Sequence, residues 1–468
     1  MTRPVDRAHH PGQMSRSPRS RLFLAALVLC AIAPAGCGAM QLMADGDARE
    51  LRDEPEGDTP TGAPTLLIVA LDGVGRDLLY DMIARGELPE LVELLGGADA
   101  SGLGHAHLDD TVLSVLPSST LAAWSSVFTG VAPAVHGVAG NEYFVREERR
   151  LAAPAPVSVH STEPVVATYA DGYVNALLAA PTIYERLRER DPELSAWVSM
   201  SQIHHGADRL LLTDGSVVGD VFGAFVEGVF ENDDDLNLYS QLDRNAVENV
   251  VQELAGSAAP RVLTVYLPGA DLYGHGAVSG PDVAVRRYLR EIVDPLIAEL
   301  RTSLAAHHAL ANRYVMLLSD HGHTAVLHDE EHALSTGDGP DDPPAIVRSA
   351  GFHLRPFELE VGDDVDFDAV LAYGGAMAYV YVADRSTCPA VEAPSTDRSP
   401  GPRRARAVPT TIAEPLESAP VRRCDWSRPA RYEGDVLPMA EAFYRASAEG
   451  LHAPGMRGTL DLVLVRSP

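Results

Sequence analysis

Carboxylate and imidazole side chains follow three apolar runs that lie far apart in the chain. Continuous apolar runs are typical of strands buried on both faces of a parallel sheet. Open α/β sheets bind ligands at the carboxyl ends of their strands, so we expect these side chains to converge. Oxygen and nitrogen ligands without a competing cysteine suit zinc or another borderline divalent metal. The candidate metal ligands are Asp72, Asp271, His275, Asp320 and His321.

A cluster of hydroxyl groups lies between the first two of these runs. Ser118, Ser119 and Thr120 follow Pro117 and precede apolar residues at helical spacing, which predicts a helix beginning at or just after Thr120. A hydroxyl there lies beside unpaired backbone N–H groups and the positive end of the helix dipole, where a phosphate is held well. The alternative is an ordinary N-cap, the commoner role of Ser or Thr at this position.

Apolar runs alternate with helical patterns along most of the chain. This predicts an α/β fold with a mostly parallel central sheet covered by helices on both faces. Predicted strands cover 65–71, 195–200, 261–267, 313–319, 352–359, 376–383 and 459–465, with short β-like pieces between 216 and 229. Predicted helices cover 76–84, 89–95, a segment from about 120, 181–190, 237–254, 281–307, 343–350 and 437–448.

The N-terminal segment 1–36 has the features of an export signal. Arginines precede the apolar run 22–33, which is too short to span a bilayer comfortably. The small residues before Cys37 resemble a bacterial lipoprotein signal, in which Cys37 would carry a lipid anchor. We therefore expect an exported protein anchored in the bacterial cell envelope, with a periplasmic or secreted protein as the alternative.

The rest of the chain reads as one catalytic domain, 65–468, behind a polar and acidic tether, 37–64. We predict a cap-like insertion at about 142–258, over the active face. A stretch rich in Pro, Arg, Ser and Thr forms an irregular excursion at about 385–428.

Cys388 and Cys424 flank most of the predicted excursion. Because an exported protein is in an oxidising compartment, we predict that these two cysteines form a disulfide. Two free thiols are the alternative.

The net charge of -29 restricts the kinds of molecule that the protein can bind. So acidic a chain argues against a nucleic-acid duplex, since phosphate backbones require basic surfaces. A small phosphorylated substrate remains compatible if metal ions supply positive charge. The oligomeric state is not determined by the sequence.

Five motifs occur together in one order, at 69–73, 117–120, 128–137, 271–275 and 319–322. In these motifs the chain resembles the alkaline phosphatase superfamily, most closely its type I phosphodiesterase/nucleotide pyrophosphatase family. The resemblance implies a metal-dependent phosphoric ester hydrolase that uses two zinc ions and a phospho-threonine intermediate on Thr120. Thr120 lies nine positions before Thr129, the family's spacing between the nucleophile and the Thr-Gly pair.

The resemblance also implies how the ligands divide between two metals. Asp72, Thr120, Asp320 and His321 would hold one metal, and Asp271 and His275 would hold the other with a late histidine. For the late histidine we choose His452, in a glycine-flanked loop before the last predicted strand; His328 and His332 are alternatives. We expect His323 and His136 to support the site rather than to bind metal.

One departure leaves the substrate open. Nucleotide-cleaving members have Thr-Phe-Pro-Asn at the nucleophile, whereas this chain has Thr-Leu-Ala-Ala at 120–123. Asn141, or a residue of the insertion, is the candidate to contact phosphate instead. A phosphomonoesterase or phosphonate hydrolase on the same site is the alternative activity. The alternative of another class is a non-catalytic surface lipoprotein that only binds its ligand.

Overall fold

The computed structural model describes residues 65–98, 103, 105–159, 161–212, 217–223, 236–324, 339–362, 365–374, 377–388 and 423–466. The predicted signal and tether, most of the predicted excursion, His328 and His332 lie outside the described residues.

A central sheet of five parallel strands organises the described residues, in the order β5-β4-β6-β1-β7. Every residue of β6 is buried, so both faces of the sheet are covered there. The predicted α/β fold with a parallel sheet flanked by helices is therefore confirmed. The strands are β1 Thr65–Leu71, β4 Ala196–Ser199, β5 Arg209–Leu211, β6 Val262–Leu267 and β7 Arg313–Ser319.

The register of the sheet brings the three chemical segments to one edge. Leu71, the last residue of β1, pairs with Leu267 of β6 on one side and with Ser319 of β7 on the other. Residues that immediately follow these strands must therefore lie side by side. Asp72 and Asp320 are in this position.

Helices connect and cover the strands. Thr182 begins one of them with a capping box, in which its side chain and that of Glu185 satisfy each other's backbone N–H groups. The helices are α1 Arg76–Ala84, α2 Pro89–Leu94, α3 Thr120–Thr129, α4 Pro133–His136, α5 Glu163–Ala170, α6 Tyr173–Leu177, α7 Ile183–Arg190, α8 217–223, α9 Leu236–Gly256, α10 Gly269–Gly276, α11 Pro281–Tyr288, α12 Asp294–Ala306, α13 Pro343–Ser349 and α14 Leu437–Glu449. A π-helical turn, Leu289–Val293, joins α11 to α12, so the predicted long helix is one interrupted helix.

Part of the predicted insertion belongs to the central sheet instead. β4 and β5 are two of its five strands, and α9 packs against both β4 and β6. The sequence also suggested β-like pieces near 216–229, but the described part of that stretch, 217–223, is helical. Outside the central sheet, the predicted insertion contains an antiparallel hairpin of β2 Tyr143–Val145 and β3 Arg150–Ala152.

A second antiparallel hairpin, β8 Ala369–Tyr373 and β9 Ala378–Val382, lies toward the C-terminus. The strand predicted at 352–359 does not form: Leu354 makes one isolated bridge to Ala369. The buried Arg355 donates to the carbonyls of Pro356, Glu358 and Leu359, which removes the acceptors that a strand would offer. Pro356 also lacks an N–H to donate.

The strand predicted at 459–465 is also wrong. Leu462 and Leu464 are exposed, and the segment pairs with no strand among the described residues. A β-like composition does not suffice, because a strand requires an edge with which to pair.

Cys388 and Cys424 form a disulfide, as predicted. Across the described part of the chain, no helix combines the length and apolarity that crossing a membrane demands.

Candidate active site

Asp72, Asp320 and His321 form one compact group at the ends of β1 and β7. His321 Nε2 lies 3.2 Å from Asp320 Oδ2 and 3.7 Å from Asp72 Oδ1. Backbone contacts fix the two loops against each other, because Asp320 Oδ1 accepts hydrogen bonds from the backbone N–H groups of Gly73 and His321, at 3.1 and 2.9 Å. The other oxygen of Asp320 therefore faces His321 and Asp72.

Two aromatic side chains orient Asp72. Trp124 Nε1 donates to Asp72 Oδ2 at 3.1 Å, and the hydroxyl of Tyr266 donates to the same oxygen. Gln202 in turn donates to Tyr266 at 2.8 Å. These contacts occupy one carboxylate oxygen and leave the other directed at the group. The sequence does not reveal the role of these residues, because only the fold brings β6 and the inner face of α3 to Asp72.

Thr120 is the first residue of α3, as the helical pattern predicted. Its Oγ1 lies 3.2 Å from His321 Nε2. His321 Nδ1 lies 3.1 Å from the Gly322 carbonyl oxygen, which can only accept, so Nδ1 carries a hydrogen. The Thr120 hydroxyl is within hydrogen-bond distance of the other ring nitrogen and is therefore in direct contact with the group.

Asn141 lies beside the same helix N-terminus. Its Oδ1 accepts a hydrogen bond from the backbone N–H of Leu121 at 3.1 Å. Since the Oδ1 of Asn141 is engaged, its Nδ2 is the atom with which it can contact a substrate.

A second group consists of Asp271, His275 and His323. Asp271 and His275 are on one face of α10, four residues apart, and His275 Nε2 lies 3.5 Å from Asp271 Oδ1. His323 follows β7 and places its Nε2 3.1 Å from the same oxygen. Gly73 makes this approach possible, since a Cβ there would lie 2.5 Å from Asp271 Oδ1 and 2.6 Å from His323 Cε1.

Burial and mutual repulsion perturb the carboxyl groups. Burial raises the pKa of Asp72 well above 3.8, and the charges of Asp320 and Asp271 raise it further. Burial, with the charge of Asp271, raises the pKa of Asp320 to about 7. Burial acts to raise the pKa of Asp271 as well, but the charge of His275 and the further effects of the neighbouring histidines together outweigh burial and hold the pKa of Asp271 well below its ordinary value. Two neighbouring carboxyls that resist ionisation are an arrangement that a cation stabilises.

Unsatisfied atoms show that both groups fit divalent metals. Four buried atoms have no hydrogen-bond partner among the described residues: Asp72 Oδ1, Asp320 Oδ2, Asp271 Oδ1 and His323 Nε2. Within each group, one potential ligand atom from every residue lies within 4.8 Å of the others. Unpaired buried polar atoms cost free energy, and coordination of a metal by oxygen and nitrogen ligands would satisfy them.

The remaining candidate histidines lie elsewhere. His452 is exposed, in the loop between α14 and a 3-10 turn, and is in neither group among the described residues. His136 is fully buried; its Nε2 lies 2.9 Å from Ser126 Oγ, and its Nδ1 accepts from the backbone N–H of Val138. His323, expected to support the site, stands instead among the possible ligands. In the sequence, the position of His323 in the motif Asp320-His321-Gly322-His323 was the signal that could have indicated a possible metal ligand.

The family comparison agrees with this geometry. The model of the family "Type I phosphodiesterase / nucleotide pyrophosphatase" matches residues 66–342, more than half of the chain and all of the described site. The chain belongs to this family. The predicted family is therefore confirmed, and the family is metal-dependent.

Two solved structures are similar over parts of the chain. One is phosphonoacetate hydrolase from Sinorhizobium meliloti 1021 in complex with phosphonoformate, at 19% identity and a TM-score of 0.33, covering 57% of this chain and 59% of that one. The other is murine ectonucleotide pyrophosphatase/phosphodiesterase 5, inactive, in complex with AMP, at 16% identity and a TM-score of 0.39, covering 59% of this chain and 64% of that one. This chain thus spans less than two thirds of either.

A curated protein matches a short stretch. This is the cytochrome c biogenesis ATP-binding export protein CcmA of Ruegeria sp. (strain TM1040), 36% identical over 76 residues, or 16% of this chain and 36% of that protein. The chain spans about a third of the length of this relative.

Proposed function

We propose that this protein is a phosphodiesterase or nucleotide pyrophosphatase that uses Thr120 as its nucleophile and two divalent metal ions, with zinc the expected metal. The observation that carries the proposal is the contact of Thr120 with His321, at the edge of a group that also contains Asp72 and Asp320. Family membership supports the reaction class.

The metal ligands divide between two sites. Asp72, Asp320, His321 and Thr120 Oγ1 would hold one ion. Asp271 and His275 would hold the other, with a further histidine. When bound, the ions supply positive charge that lowers the pKa of a coordinated hydroxyl and stabilises the negative oxygens of a phosphoryl group.

Thr120 carries the covalent step. Its Oγ1 forms a bond to phosphorus as the bond between phosphorus and the leaving oxygen breaks, and the leaving oxygen departs with the electron pair and takes up a proton. Water then attacks the phospho-threonine, the bond from phosphorus to Oγ1 breaks, and Thr120 regains its proton. Atoms balance with one water consumed for each ester cleaved.

Asn141 orients the phosphoryl group in this proposal. Its Oδ1 accepts a hydrogen bond from the backbone N–H of Leu121 in the first turn of α3. This contact holds the side-chain amide of Asn141 beside Thr120. Nδ2 then donates to a non-bridging oxygen. The positive end of the α3 dipole adds to the attraction.

The test compares Thr120→Ala with Thr120→Ser on bis-p-nitrophenyl phosphate. Thr120→Ala should lose turnover by several orders of magnitude while it keeps the fold, because no other hydroxyl replaces Oγ1. Thr120→Ser keeps a hydroxyl and should retain measurable turnover. Full activity in Thr120→Ala would refute this choice of nucleophile.

Assays on the same purified protein distinguish a phosphodiesterase from a phosphomonoesterase and from a phosphonate hydrolase. A diesterase cleaves bis-p-nitrophenyl phosphate faster than p-nitrophenyl phosphate, and the reverse order would favour the phosphomonoesterase alternative. Phosphate release from phosphonates would favour a phosphonate hydrolase. Metal analysis of wild type and Asp72→Ala tests the binding-only alternative, in which no substrate is cleaved.

We also propose that the protein is exported and anchored in the cell envelope through a lipid on Cys37. The proposal rests on the basic residues, apolar run and small residues that precede Cys37. Cys37→Ser should move the protein from the membrane fraction to the soluble fraction. An unchanged distribution would refute the anchor and leave plain export as the alternative.

A further inference from the structure

We propose that His323 is a protein ligand of the metal ion held by Asp271 and His275, in the place that a late histidine would otherwise take. The inference rests on the proposed function, since it assumes that a metal occupies this second group. It concerns which histidine completes the site.

Three ligand atoms already converge. His323 Nε2 lies 3.1 Å and His275 Nε2 lies 3.5 Å from the same oxygen, Asp271 Oδ1. The two imidazole rings meet edge to face, with centroids 5.0 Å apart and planes at 69°. Two nitrogens and one carboxylate oxygen in this arrangement make up three of the four positions of a tetrahedral zinc site.

The hydrogen bonding and burial of His323 leave its Nε2 positioned to bind a metal. Its Nδ1 lies 2.9 Å from the carbonyl oxygen of Gly73. A carbonyl only accepts, so Nδ1 carries a hydrogen and neutral His323 presents a lone pair at Nε2. The side chain of His323 is 10% exposed, and its Nε2 is buried and has no hydrogen-bond partner within the part of the chain that the structure describes. Metal-binding histidines typically donate their second N–H to a carbonyl or carboxylate in this way.

Two glycines make room for the imidazole. A Cβ on Gly274 would lie 3.1 Å from both Cε1 and Nε2 of His323, and one on Gly73 would lie 2.6 Å from Cε1. Gly73 also has a φ of +68°, which side chains other than glycine rarely adopt. The ring therefore occupies a slot that residues on both sides leave open.

The competing role for His323 is an ion pair with Asp271. A protonated His323 would use Nε2–H to donate to Asp271 Oδ1 and would bind no metal. His452 would then be free to serve as the late ligand. The two roles predict different metal contents for the same variants.

The experiment uses His323→Asn, with His275→Ala and His452→Ala beside it. Asn can keep the hydrogen bond to Gly73 through its amide while it lacks a nitrogen at the position of Nε2. Titration with Co²⁺, monitored by d–d absorption, measures the affinity of each binding event. Elemental analysis after dialysis against Zn²⁺ gives the number of zinc ions bound per protein. Circular dichroism checks the fold of each variant.

We expect wild type and His452→Ala to bind two ions. His323→Asn should weaken one binding event by more than ~100-fold, beyond the usual effect of losing a residue that only supports a ligand, and should match His275→Ala. Gly274→Ala, which presses on the ring without removing it, should weaken the same event less. If His323→Asn does not fold, Gly274→Ala decides: weaker binding of one ion with the other unchanged supports the inference, and two binding events of wild-type strength overturn it.

Two binding events of wild-type strength in His323→Asn, with one lost in His452→Ala, would overturn the inference. Failure of the proposed function gives a different result: wild type would bind no metal, or would bind metal and hydrolyse no ester.

Discussion

Replacing Asp320 with Asn should stabilise the metal-free protein, and by more at pH 8 than at pH 5. Burial, with the charge of Asp271, raises the pKa of Asp320 from 3.8 to about 7. A carboxyl whose pKa is raised on folding contributes its stabilisation fully below the unfolded pKa and loses it as pH rises through the folded pKa. Asn preserves an acceptor for the N–H groups of Gly73 and His321 but carries no charge.

The magnitude follows from the pKa shift. Between pH 5 and pH 7 the unfolded carboxyl is ionised and the folded one is protonated, so each pH unit costs the wild type ~1.4 kcal/mol. Because the folded carboxyl is half ionised at pH 7, the advantage of Asp320→Asn should grow by ~2 kcal/mol from pH 5 to pH 7 and level off near pH 8. The variant also relieves the repulsion that raises the pKa of Asp72, which acts in the same direction.

Urea denaturation in the presence of a chelator, followed by tryptophan fluorescence at pH 5, 6, 7 and 8, measures the effect. Asp282→Asn, which changes an exposed carboxylate on α11, is the matched control and should show no such trend. With saturating Zn²⁺ the order should reverse, because the variant lacks a ligand and gains less from binding. A pH-independent difference between Asp320→Asn and wild type would refute the reasoning.

Three further predictions concern other parts of the fold. Burial raises the pKa of Asp243 to about 7, so Asp243→Asn should gain stability relative to wild type as pH rises from 4 to 7, measured by urea denaturation; a loss over that range would contradict it. Tyr266→Phe removes a hydrogen bond to Asp72, and should weaken metal binding ~10- to 100-fold in a Co²⁺ titration; unchanged binding would show that Trp124 alone orients the carboxylate. Replacing both disulfide cysteines by Ser should lower the free energy of unfolding by up to ~4 kcal/mol, given their separation of 36 residues, and an equally stable variant would show that the bridge does not constrain the unfolded chain.

The sequence by itself determined four of the five strands of the central sheet and most of the site's components. β1, β6 and β7 were predicted as strands from continuous apolar runs, and β6 is buried throughout, whereas Tyr314 and Met316 of β7 are exposed among the described residues. The short strand β5 was not predicted. The start of α3 at Thr120 was predicted from proline, hydroxyl and helical spacing, all of which act within a few residues. Local patterns of this kind can be predicted from the sequence because the residues that produce them are neighbours in the chain.

Tertiary structure decided which side chains meet. The register of β1 with β7 places Asp72 beside Asp320, and the hydrogen bond from His323 to Gly73 turns a neighbouring histidine toward Asp271. His452, chosen from its glycine-flanked loop, lies in neither group among the described residues, and the predicted last strand does not form. Side-chain contacts in the site and strand pairing join residues that lie far apart in the chain. Their meeting is set by strand order and backbone hydrogen bonds, which leave no periodic trace in the sequence.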